Sequence, residues 1–309
     1  MSMKHFADRL AAAVRRRATP AMVGIDPRWE QLPPALRSPG EGSLAERAAA
    51  YRRFCRGVID VVAPLVAVVK PQAAFFEQLG PAGMEVLADC VCYARQAGLM
   101  VVLDAKRSDI GSTATAYADG LLGPPAEGSF SSDAVTVNPY LGDDSLQPFV
   151  DVARQRGCGL FVLVKTSNPG GPRFQDLVTE EKPVYRHVAE YVEQVSAHTL
   201  GKSGFGLAGA VVGATYPAQL AELRTAMPHV WLLVPGFGSQ GGTAGDVAAA
   251  FDSNGLGALI NSSRGIIFAH ARQEYAQRFT EGNWQRAVEA ATREMIDQLG
   301  SETAAGRLA

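Results

Sequence analysis

The stretch VVLDAKRSDIGSTA, residues 101–114, begins as a strand that is apolar on both faces and then places four charges within six positions. The charges are Asp104, Lys106, Arg107 and Asp109. A strand without polar alternation is typical of a parallel sheet that helices cover on both sides. Charge at the carboxyl end of such a strand is typical of a barrel, because barrels build their sites at that end. A single cluster of this kind can also be a surface accident, so the other segments of the chain must show where this one lies.

Seven more short runs rich in Val, Ile and Leu follow the same pattern, with helical periodicity between them. Eight strands alternating with helices is the number that closes a (β/α)8 TIM barrel of the α/β class. A doubly wound open sheet is the alternative, but VGIDPRWEQL stands where that fold has a G-x-G-x-x-G turn. The predicted strands lie in residues 20–26, 66–72, 99–106, 134–140, 159–168, 209–215, 231–238 and 257–265.

No break in composition marks a second domain, so residues 1–299 are predicted to form a single TIM-barrel domain. The last ten residues, 300–309, are predicted to be a flexible C-terminal tail. Three long insertions interrupt the pattern, at 27–44, 120–133 and 168–183. The first and third follow directly on strands and are expected over the strand carboxyl ends, whereas the pattern does not place the second.

Composition limits the partners that the chain can have. A hydrophobic content of 47% and a charged content of 19% are those of a soluble protein with a large core. A formal net charge of −2 argues against nucleic acid or an anionic membrane as the main partner, but it allows a small anionic ligand at a local site. The N-terminus, MSMKHFADRLAAAVRRR, predicts an amphipathic helix rather than a signal peptide. The longest apolar run, VVAPLVAVV, is too short to span a bilayer, and a cytoplasmic protein is predicted.

The charges of the opening stretch are expected to form an array with a lysine of the neighbouring strand. Residues two apart on a strand share a face, so Asp104 and Lys106 are expected to point together into the barrel mouth. Lys70 ends the preceding strand beside them, and Asp109 can approach from the turn that follows. In such an alternating array, the ammonium groups offset the repulsion between the carboxylates. Arg107 points the other way and is expected to be structural. The alternative is an ordinary salt-bridge network that caps a strand, although this many charges have a high desolvation cost.

Two segments near the end of the barrel favour a phosphate site. VPGFGSQGG (234–242) follows the seventh strand, and its glycines are expected to leave backbone N–H groups free for a ligand. NSSRGII (261–267) follows the eighth strand and places Arg264 at the start of a helix. TSNPGG (166–171), after the fifth strand, offers hydroxyl and amide groups suited to a heterocycle edge or a sugar. Each segment can also be a simple tight turn, but their shared position at strand ends favours a ligand that bears phosphate.

The chain carries no pattern for a metal centre, a cofactor or a nucleophilic triad. Its four cysteines form no C-x-x-C pair and are expected to be buried, reduced thiols. Its five histidines lie in helical or pre-strand contexts, and no His, Asp and Glu set has metal-ligand spacing. There is no G-x-S-x-G motif. We therefore predict no metal.

The motif DAKRSDIGST resembles the D-x-K-x-x-D-I signature of the orotidine 5′-phosphate decarboxylase family. The K-R within it, together with VKTSNPG and NSSRGI, resembles the longer bacterial subgroup often called type 2. The resemblance extends from FADRL (residues 6–10) to Arg264 and the helix after it. It implies a carboxy-lyase that converts orotidine 5′-monophosphate to uridine 5′-monophosphate and CO2 in de novo pyrimidine biosynthesis, without a cofactor. It also implies a homodimer with its sites at the subunit interface.

Carried onto this chain residue by residue, the resemblance implies that Lys106 donates a proton to C6 of the pyrimidine. Asp109, Ile110 and Thr113 would reach the site of the partner subunit, with Thr113 in contact with the sugar. The implied catalytic tetrad consists of Lys70, Asp104, Lys106 and Asp109.

The resemblance also implies a set of substrate contacts. The sequence departs from the shorter family members at Ser263, where they have Gly before the arginine, and this makes the local backbone path harder to predict. The implied contacts are Asp26 to a ribose hydroxyl, Ser167 to the pyrimidine edge, Gln240 and Arg264 to the phosphate, and Pro235 beside them at the end of the seventh strand.

Three other functions remain open. A class I aldolase forms a Schiff base on a lysine of lowered pKa, whereas flanking aspartates favour the charged form of Lys106. The related sugar-phosphate decarboxylases and hexulose-phosphate synthases share a D-x-K-x-x-D motif but use magnesium. A catalytically inactive barrel that senses a nucleotide phosphate has no need of so costly a charged array.

Overall fold

The computed structural model describes residues 5–37, 40, 42–123, 130–238 and 241–308. Ten strands and thirteen α-helices lie in these residues. The strands are β1 Ala21–Ile25, β2 Val68–Pro71, β3 Met100–Arg107, β4 Ala134–Val137, β5 Gly159–Lys165, β6 Val178–Thr179, β7 Lys182–Pro183, β8 Ala208–Val212, β9 Leu232–Pro235 and β10 Ala258–Ser262. The helices are α1 Phe6–Arg17, α2 Leu44–Val62, α3 Ala74–Glu77, α4 Gly80–Gln96, α5 Gly111–Leu121, α6 Gln147–Arg156, α7 Pro172–Gln175, α8 Val184–Ala197, α9 Pro217–Ala226, α10 Ala244–Val247, α11 Arg264–Ile267, α12 Gln273–Ala276 and α13 Trp284–Glu302.

Eight of the strands close into a parallel barrel in the order β1, β10, β9, β8, β5, β4, β3, β2. The predicted TIM barrel is therefore confirmed, and each of the eight predicted apolar runs overlaps a barrel strand. The two remaining strands, β6 and β7, form a small antiparallel hairpin outside the barrel. Parallel order brings all eight carboxyl ends to one rim, where the polar strand ends of the sequence meet.

Large side chains fill the interior of the barrel, and the N-terminal helix covers one end of it. Phe161 and Trp231 are wholly buried in a cluster that also contains Phe6 and Leu10 of α1. The Phe6 ring packs edge-on against Phe161, with ring centroids 6.2 Å apart. Because these residues fill the amino-terminal half of the barrel, the space for a ligand lies at the carboxyl ends of the strands.

The three insertions occupy different positions. Residues 168–183 form α7 and the hairpin, and Phe174 and Leu177 from this insertion line a cavity at the strand carboxyl ends, as predicted. In the described part of 27–44, Arg28 stacks over Phe75 of α3, 5.1 Å from the ring centroid.

The described part of 120–133 lies at the opposite rim. Asp133 directly precedes β4 and accepts a 2.6 Å hydrogen bond from Arg9 of α1. This insertion therefore helps to fix the helix that covers the amino-terminal end of the barrel.

The prediction of a flexible tail is wrong for residues 300–308. Helix α13 continues to Glu302, and residues 304–308 form a 3-10 helix in which Ala305 is 2% exposed. The guanidinium of Arg307 donates to the backbone oxygen of Ser253. Small and polar residues suggested fraying, but the small side chains let this segment approach the turn at Gly255 closely.

Cys55, Cys90 and Cys158 are buried as expected, but Cys92 is exposed on α4. Among the described residues, none of the helices is both long enough and apolar enough to span a membrane.

The packed C-terminus gives a test by substitution of Gly255. Its φ of +79° is strained for other residues, and an added Cβ would lie 2.4 Å from the backbone oxygen of Ala304. We expect Gly255→Ala to lower the free energy of unfolding by about 1–2 kcal/mol in urea titrations at fixed protein concentration. Gly300→Ala is the matched control, because a Cβ there meets nothing within 4 Å; it should be neutral or stabilising by up to about 1 kcal/mol. Equal behaviour of the two variants would contradict the packed C-terminus.

Candidate active site

One cavity of about 1030 Å3 opens at the carboxyl ends of the barrel strands. Side chains from or just after all eight barrel strands line it, so the strand order itself assembles the site. Its polar lining includes Asp26 after β1, Lys70 on β2, Asp104 and Lys106 on β3, Thr136 on β4 and Arg264 after β10.

A buried chain of ion pairs forms the charged centre of this cavity. Lys70 Nζ lies 2.6 Å from Asp104 Oδ2, and Lys106 Nζ lies 2.6 Å from Asp104 Oδ1. Lys70 and Asp104 are 5% and 6% exposed, whereas the side chain of Lys106 is 46% exposed. The carboxylate thus joins one ammonium group that is enclosed by protein to a second that faces the open cavity.

Two neutral side chains complete the surroundings of the Asp104 carboxylate. Gln72 Nε2 donates to Oδ2 at 2.8 Å, and Thr136 Oγ1 donates to Oδ1 at 2.9 Å. Each carboxylate oxygen therefore accepts one hydrogen bond from an ammonium and one from a neutral group. Such saturation is what allows a charge to be buried at an acceptable cost.

Charge pairing decides the protonation states within this chain of ion pairs. Burial by itself raises the pKa of Asp104, but Lys70 and Lys106 outweigh it and hold that pKa well below its ordinary value. Burial by itself lowers the pKa of Lys70, but the negative charges of Asp104 and Asp26 outweigh it and raise that pKa above its ordinary value. Lys70 and Asp104 are therefore both ionised at neutral pH.

Lys106 reaches Asp104 through an irregular backbone and not through regular strand alternation. Its φ is +47°, in the left-handed region that residues other than Gly rarely adopt. The pairing register of β3 with β4 shifts between Leu103 and Arg107, which marks a bulge at this point. The Lys106 N–H donates to Thr136 Oγ1 at 2.9 Å, so one threonine hydroxyl holds both the strained lysine and the aspartate.

Two acceptor atoms in the cavity lining have no partner within the described residues. They are Oδ1 of Asp26 and Oδ1 of Asn261, both buried. Asn261 Nδ2 donates to Ser263 Oγ at 3.4 Å. Buried acceptors of this kind suit hydroxyl or N–H donors of a ligand.

The arginine predicted for a phosphate lies in the same cavity. Arg264 begins α11, and Pro235 at the end of β9 lines the cavity with it. Ser263 has a negative φ of −113°, so a serine in place of glycine needs no left-handed backbone at this position.

The glycine-rich segment after β9 differs from its prediction. The N–H groups of Gly238, Gly241 and Gly242 donate to carbonyl groups of the same loop, at 2.8, 2.8 and 3.2 Å. They are therefore not the free donors that the sequence suggested. Gln240 lies outside the described residues.

The segment after β5 places its polar groups on the cavity wall. Thr166 and Ser167 both line the cavity. Gln175 holds Thr166 at two points, because its Oε1 accepts from Thr166 N at 3.0 Å and its Nε2 donates to Thr166 Oγ1 at 2.7 Å.

Three predicted site residues do not line the cavity of their own chain. Asp109 is partly exposed, and its carboxylate accepts from the N–H of Ile110 at 2.8 Å. Ile110 is 59% exposed, and Thr113 on α5 is also exposed. Only three members of the predicted tetrad thus meet within one chain.

Arg107 is structural, as expected. Its guanidinium pairs with Glu77 and stacks over Tyr117, 5.7 Å from the ring centroid. It does not line the cavity.

Among the polar residues that line the cavity, sequence reasoning missed Gln72, Thr136 and Asn261, which lie on or directly after barrel strands. Each had a signal. Gln72 stands two residues after Lys70, and the other two are polar residues inside otherwise apolar strands. A buried strand admits such residues only when they have a partner or a ligand.

Among the described residues, no group of three or more His, Cys, Asp and Glu side chains could hold a metal ion. The absence of a cofactor stays a prediction.

The fold and the cavity together define a class: a (β/α)8 barrel enzyme with a lysine–aspartate–lysine chain of ion pairs and an arginine in one cavity. The model of the orotidine 5′-phosphate decarboxylase / HUMPS family matches residues 20–279. The chain belongs to this family.

Individual relatives agree with the family match. An orotidine 5′-phosphate decarboxylase of Rhodopirellula baltica is 58% identical over 300 residues, which cover 96% of this chain and 99% of the relative. An orotidine 5′-phosphate decarboxylase of Caldicellulosiruptor bescii is 40% identical over 277 residues, which cover 87% of this chain and 91% of the relative. The solved structure of the Leishmania donovani OMP decarboxylase superposes with a TM-score of 0.72 at 33% identity, covering 96% of this chain and 98% of that chain.

The depressed pKa of Asp104 gives a prediction for stability against pH. A group whose pKa is lower in the folded state stabilises the fold fully above its unfolded pKa, near 3.8, and loses that contribution as the pH falls further. We expect Asp104→Asn to lower the free energy of unfolding by about 3 kcal/mol at pH 7, because it leaves Lys70 buried without a carboxylate.

The difference from wild type should stay constant down to a pH of about 4 and shrink below it, in urea titrations at several pH values. The exposed Asp151→Asn is the control and should change stability by less than about 0.5 kcal/mol. If the difference in the free energy of unfolding between Asp104→Asn and wild type were the same at pH 3 and pH 7, the lowered pKa assigned to Asp104 would be wrong.

Proposed function

We propose that the chain is a carboxy-lyase that converts orotidine 5′-monophosphate to uridine 5′-monophosphate and CO2 in de novo pyrimidine biosynthesis, without a cofactor. The observation that carries the proposal is the buried Asp104, fixed between two lysines in a cavity that also holds Arg264. The names of the relatives support the same reaction. The type 2 subgroup and the cytoplasmic location stay predictions.

The substrate would lie across the cavity with its phosphate at Arg264. A guanidinium can bind a phosphate dianion through two hydrogen bonds. The unpaired carboxylate oxygen of Asp26 suits a ribose hydroxyl, and Ser167 suits the edge of the pyrimidine. Pro235 packs beside the phosphate end, and Gln240 keeps its predicted role as a phosphate contact.

The reaction breaks the bond between C6 and the carboxylate, and the electron pair stays on C6. No carbonyl group adjacent to C6 can accept this pair, so the protein must stabilise it electrostatically. The Lys106 ammonium, which faces the open cavity beside Asp104, is placed to stabilise that charge and to donate its proton to C6. Lys106 then regains a proton from solvent, and uridine 5′-monophosphate leaves.

Asp104 has a second role in this scheme. Its depressed pKa keeps it ionised, so a substrate carboxylate pressed toward it is repelled. That repulsion is relieved when CO2 departs. Binding of the remote phosphate supplies the free energy that holds the substrate in this position.

The alternatives are less compatible with these contacts. A Schiff-base lysine must become neutral, but the pKa of Lys70 is raised and Lys106 lies 2.6 Å from a carboxylate. A phosphate sensor would carry the desolvation cost of the ion pairs without using them. The magnesium-dependent enzymes of the wider family differ from the proposed decarboxylase in that EDTA should inactivate them.

We also propose a homodimer in which Asp109, Ile110 and Thr113 complete the site of the partner. These residues are accessible at the start of α5 and do not line the cavity of their own chain. The apolar Ile110 is 59% exposed, which suits burial in an interface.

The first test follows the absorbance of orotidine 5′-monophosphate in buffer containing EDTA. We expect turnover by the wild type and a loss of at least about 10⁴-fold in kcat for Lys106→Ala, because the proton donor and the nearest cation are both removed. Arg15→Ala, a change on α1 far from the cavity, is the control and should keep full activity. Inactive wild-type protein in EDTA that recovers with magnesium would instead favour the metal-dependent group.

The second test uses hybrid dimers of two variants, Lys106→Ala and Asp109→Ala, each expected to be inactive alone. If Asp109 acts in the partner's site, one site of a hybrid carries both changes and the other carries neither. Unfolding and refolding an equimolar mixture should therefore restore about one quarter of wild-type activity, since half of the dimers are hybrids with one intact site each. An inactive mixture would place Asp109 in the site of its own chain.

A further inference from the structure

Lys165, the last residue of β5, is a wholly buried lysine outside the charged centre of the cavity. Its side chain is 0% exposed, and it does not line the cavity. A buried ammonium needs a compensating charge, and among the described residues Lys165 pairs with Asp176 at the end of α7. Its Nζ also lies 5.4 Å from the ring centroid of Tyr185 and 4.7 Å from that of Tyr216.

A bulge in β5 explains why this lysine faces away from the cavity. Leu163 pairs with Val211, and both pack inside the barrel. The register then shifts, and Lys165 pairs with Val212, which packs in the outer layer between strands and helices. The extra residue thus turns Lys165 from the barrel interior toward the helices.

The contacts of Lys165 close the base of a loop that lines the cavity. Residues 166–176 leave the barrel rim at β5 and return to Asp176. The Lys165–Asp176 ion pair joins the two ends of this loop, and the double hydrogen bond between Thr166 and Gln175 joins the next residues inward. Ser167 follows directly on these tied residues.

The approach of Ser167 to the neighbouring strand leaves little room for movement. A Cβ on Gly213, after β8, would lie 2.7 Å from the Cβ of Ser167. The Gly213 N–H donates to the carbonyl of Lys165 at 2.8 Å. Without the ion pair at Asp176, the start of the loop would therefore stay in place, whereas its far end, with Phe174 and Gln175, would move.

We propose that Lys165 and Asp176 are positioning residues that hold the far end of the loop 166–176, where Phe174 and Gln175 line the cavity, in the form that binds the substrate. This inference rests on the proposed function for the identity of the substrate that the cavity binds. Neither residue touches the cavity, so they act through the loop and not on the reacting atoms. Without the pair, substrate binding has to order the loop, and that cost appears mainly in KM.

The test compares Asp176→Asn with a matched control in the same insertion. Lys182→Met removes the Lys182–Glu190 ion pair, which is more exposed and lies outside the loop. We expect Asp176→Asn to raise KM for orotidine 5′-monophosphate about tenfold with a change in kcat below about threefold, and Lys182→Met to leave both unchanged. Asp176→Glu keeps the charge and should recover most of the affinity.

Limited proteolysis tests the loop without substrate. Trypsin can cut after Arg173, which is exposed within the loop. Cleavage there should be about tenfold faster in Asp176→Asn than in wild type, and unchanged in Lys182→Met. Lys165→Met should behave like Asp176→Asn in both measurements.

Three outcomes would overturn the inference: an unchanged cleavage rate in Asp176→Asn, faster cleavage with unchanged KM, or equal effects in the Lys182→Met control. Inactive wild-type enzyme would instead refute the proposed function, and the cleavage rates would still decide whether the ion pair orders the loop.

Discussion

The structure depends on a carboxylate that protein groups must stabilise in place of water. Asp104 is 6% exposed, and each of its oxygens accepts one hydrogen bond from an ammonium and one from a neutral side chain. Removing any one donor leaves a buried charge short of compensation. The donors come from β2, β3 and β4 and from the residue after β2, so three neighbouring strands must hold a fixed register for the carboxylate to remain ionised.

That requirement accounts for the strained backbone at Lys106. A regular strand would place residues 104 and 106 on the same face, but it would not by itself hold the ammonium of one against the carboxylate of the other. The bulge in β3 and the φ of +47° direct the side chain, and Thr136 fixes the result by accepting from the Lys106 N–H. Strain of this kind persists only where the surrounding contacts outweigh it. Here the contacts that outweigh the strain are the ones that hold the charged groups of the site in place.

Most of the fold, and the centre of the site, could be predicted from the sequence for simple physical reasons. Apolar runs without alternation define covered parallel strands, and a barrel brings their polar ends to one rim, which placed Asp26, Lys70 and Asp104 together. Strand period also predicted that Arg107 would face away from the cavity.

The sequence could not predict features that depend on packing partners or on backbone irregularity. A bulge shifts the face of Lys165 without a local sequence signal, and the loop glycines bond to their own carbonyls although composition suggested free donors. The C-terminal segment carries small residues that look disordered alone, yet they pack because the turn at Gly255 offers a close fit. In each case the structure is decided by a contact with a residue distant in sequence, or by the conformation that the loop itself adopts.

Charge balance connects the single chain to the proposed dimer. Within one cavity, Lys70, Lys106 and Arg264 carry three positive charges, and Asp26 and Asp104 carry two negative ones. An incoming substrate adds a carboxylate and a phosphate dianion, so the filled site would carry net negative charge, and Asp109 of the partner would add one more. In the proposed mechanism this excess negative charge repels the substrate carboxylate. Loss of neutral CO2 relieves the repulsion, because the charge of the carboxylate passes to C6 beside Lys106. A carboxylate supplied across an interface can exert this repulsion without being buried in the isolated chain, where it would have to be offset during folding.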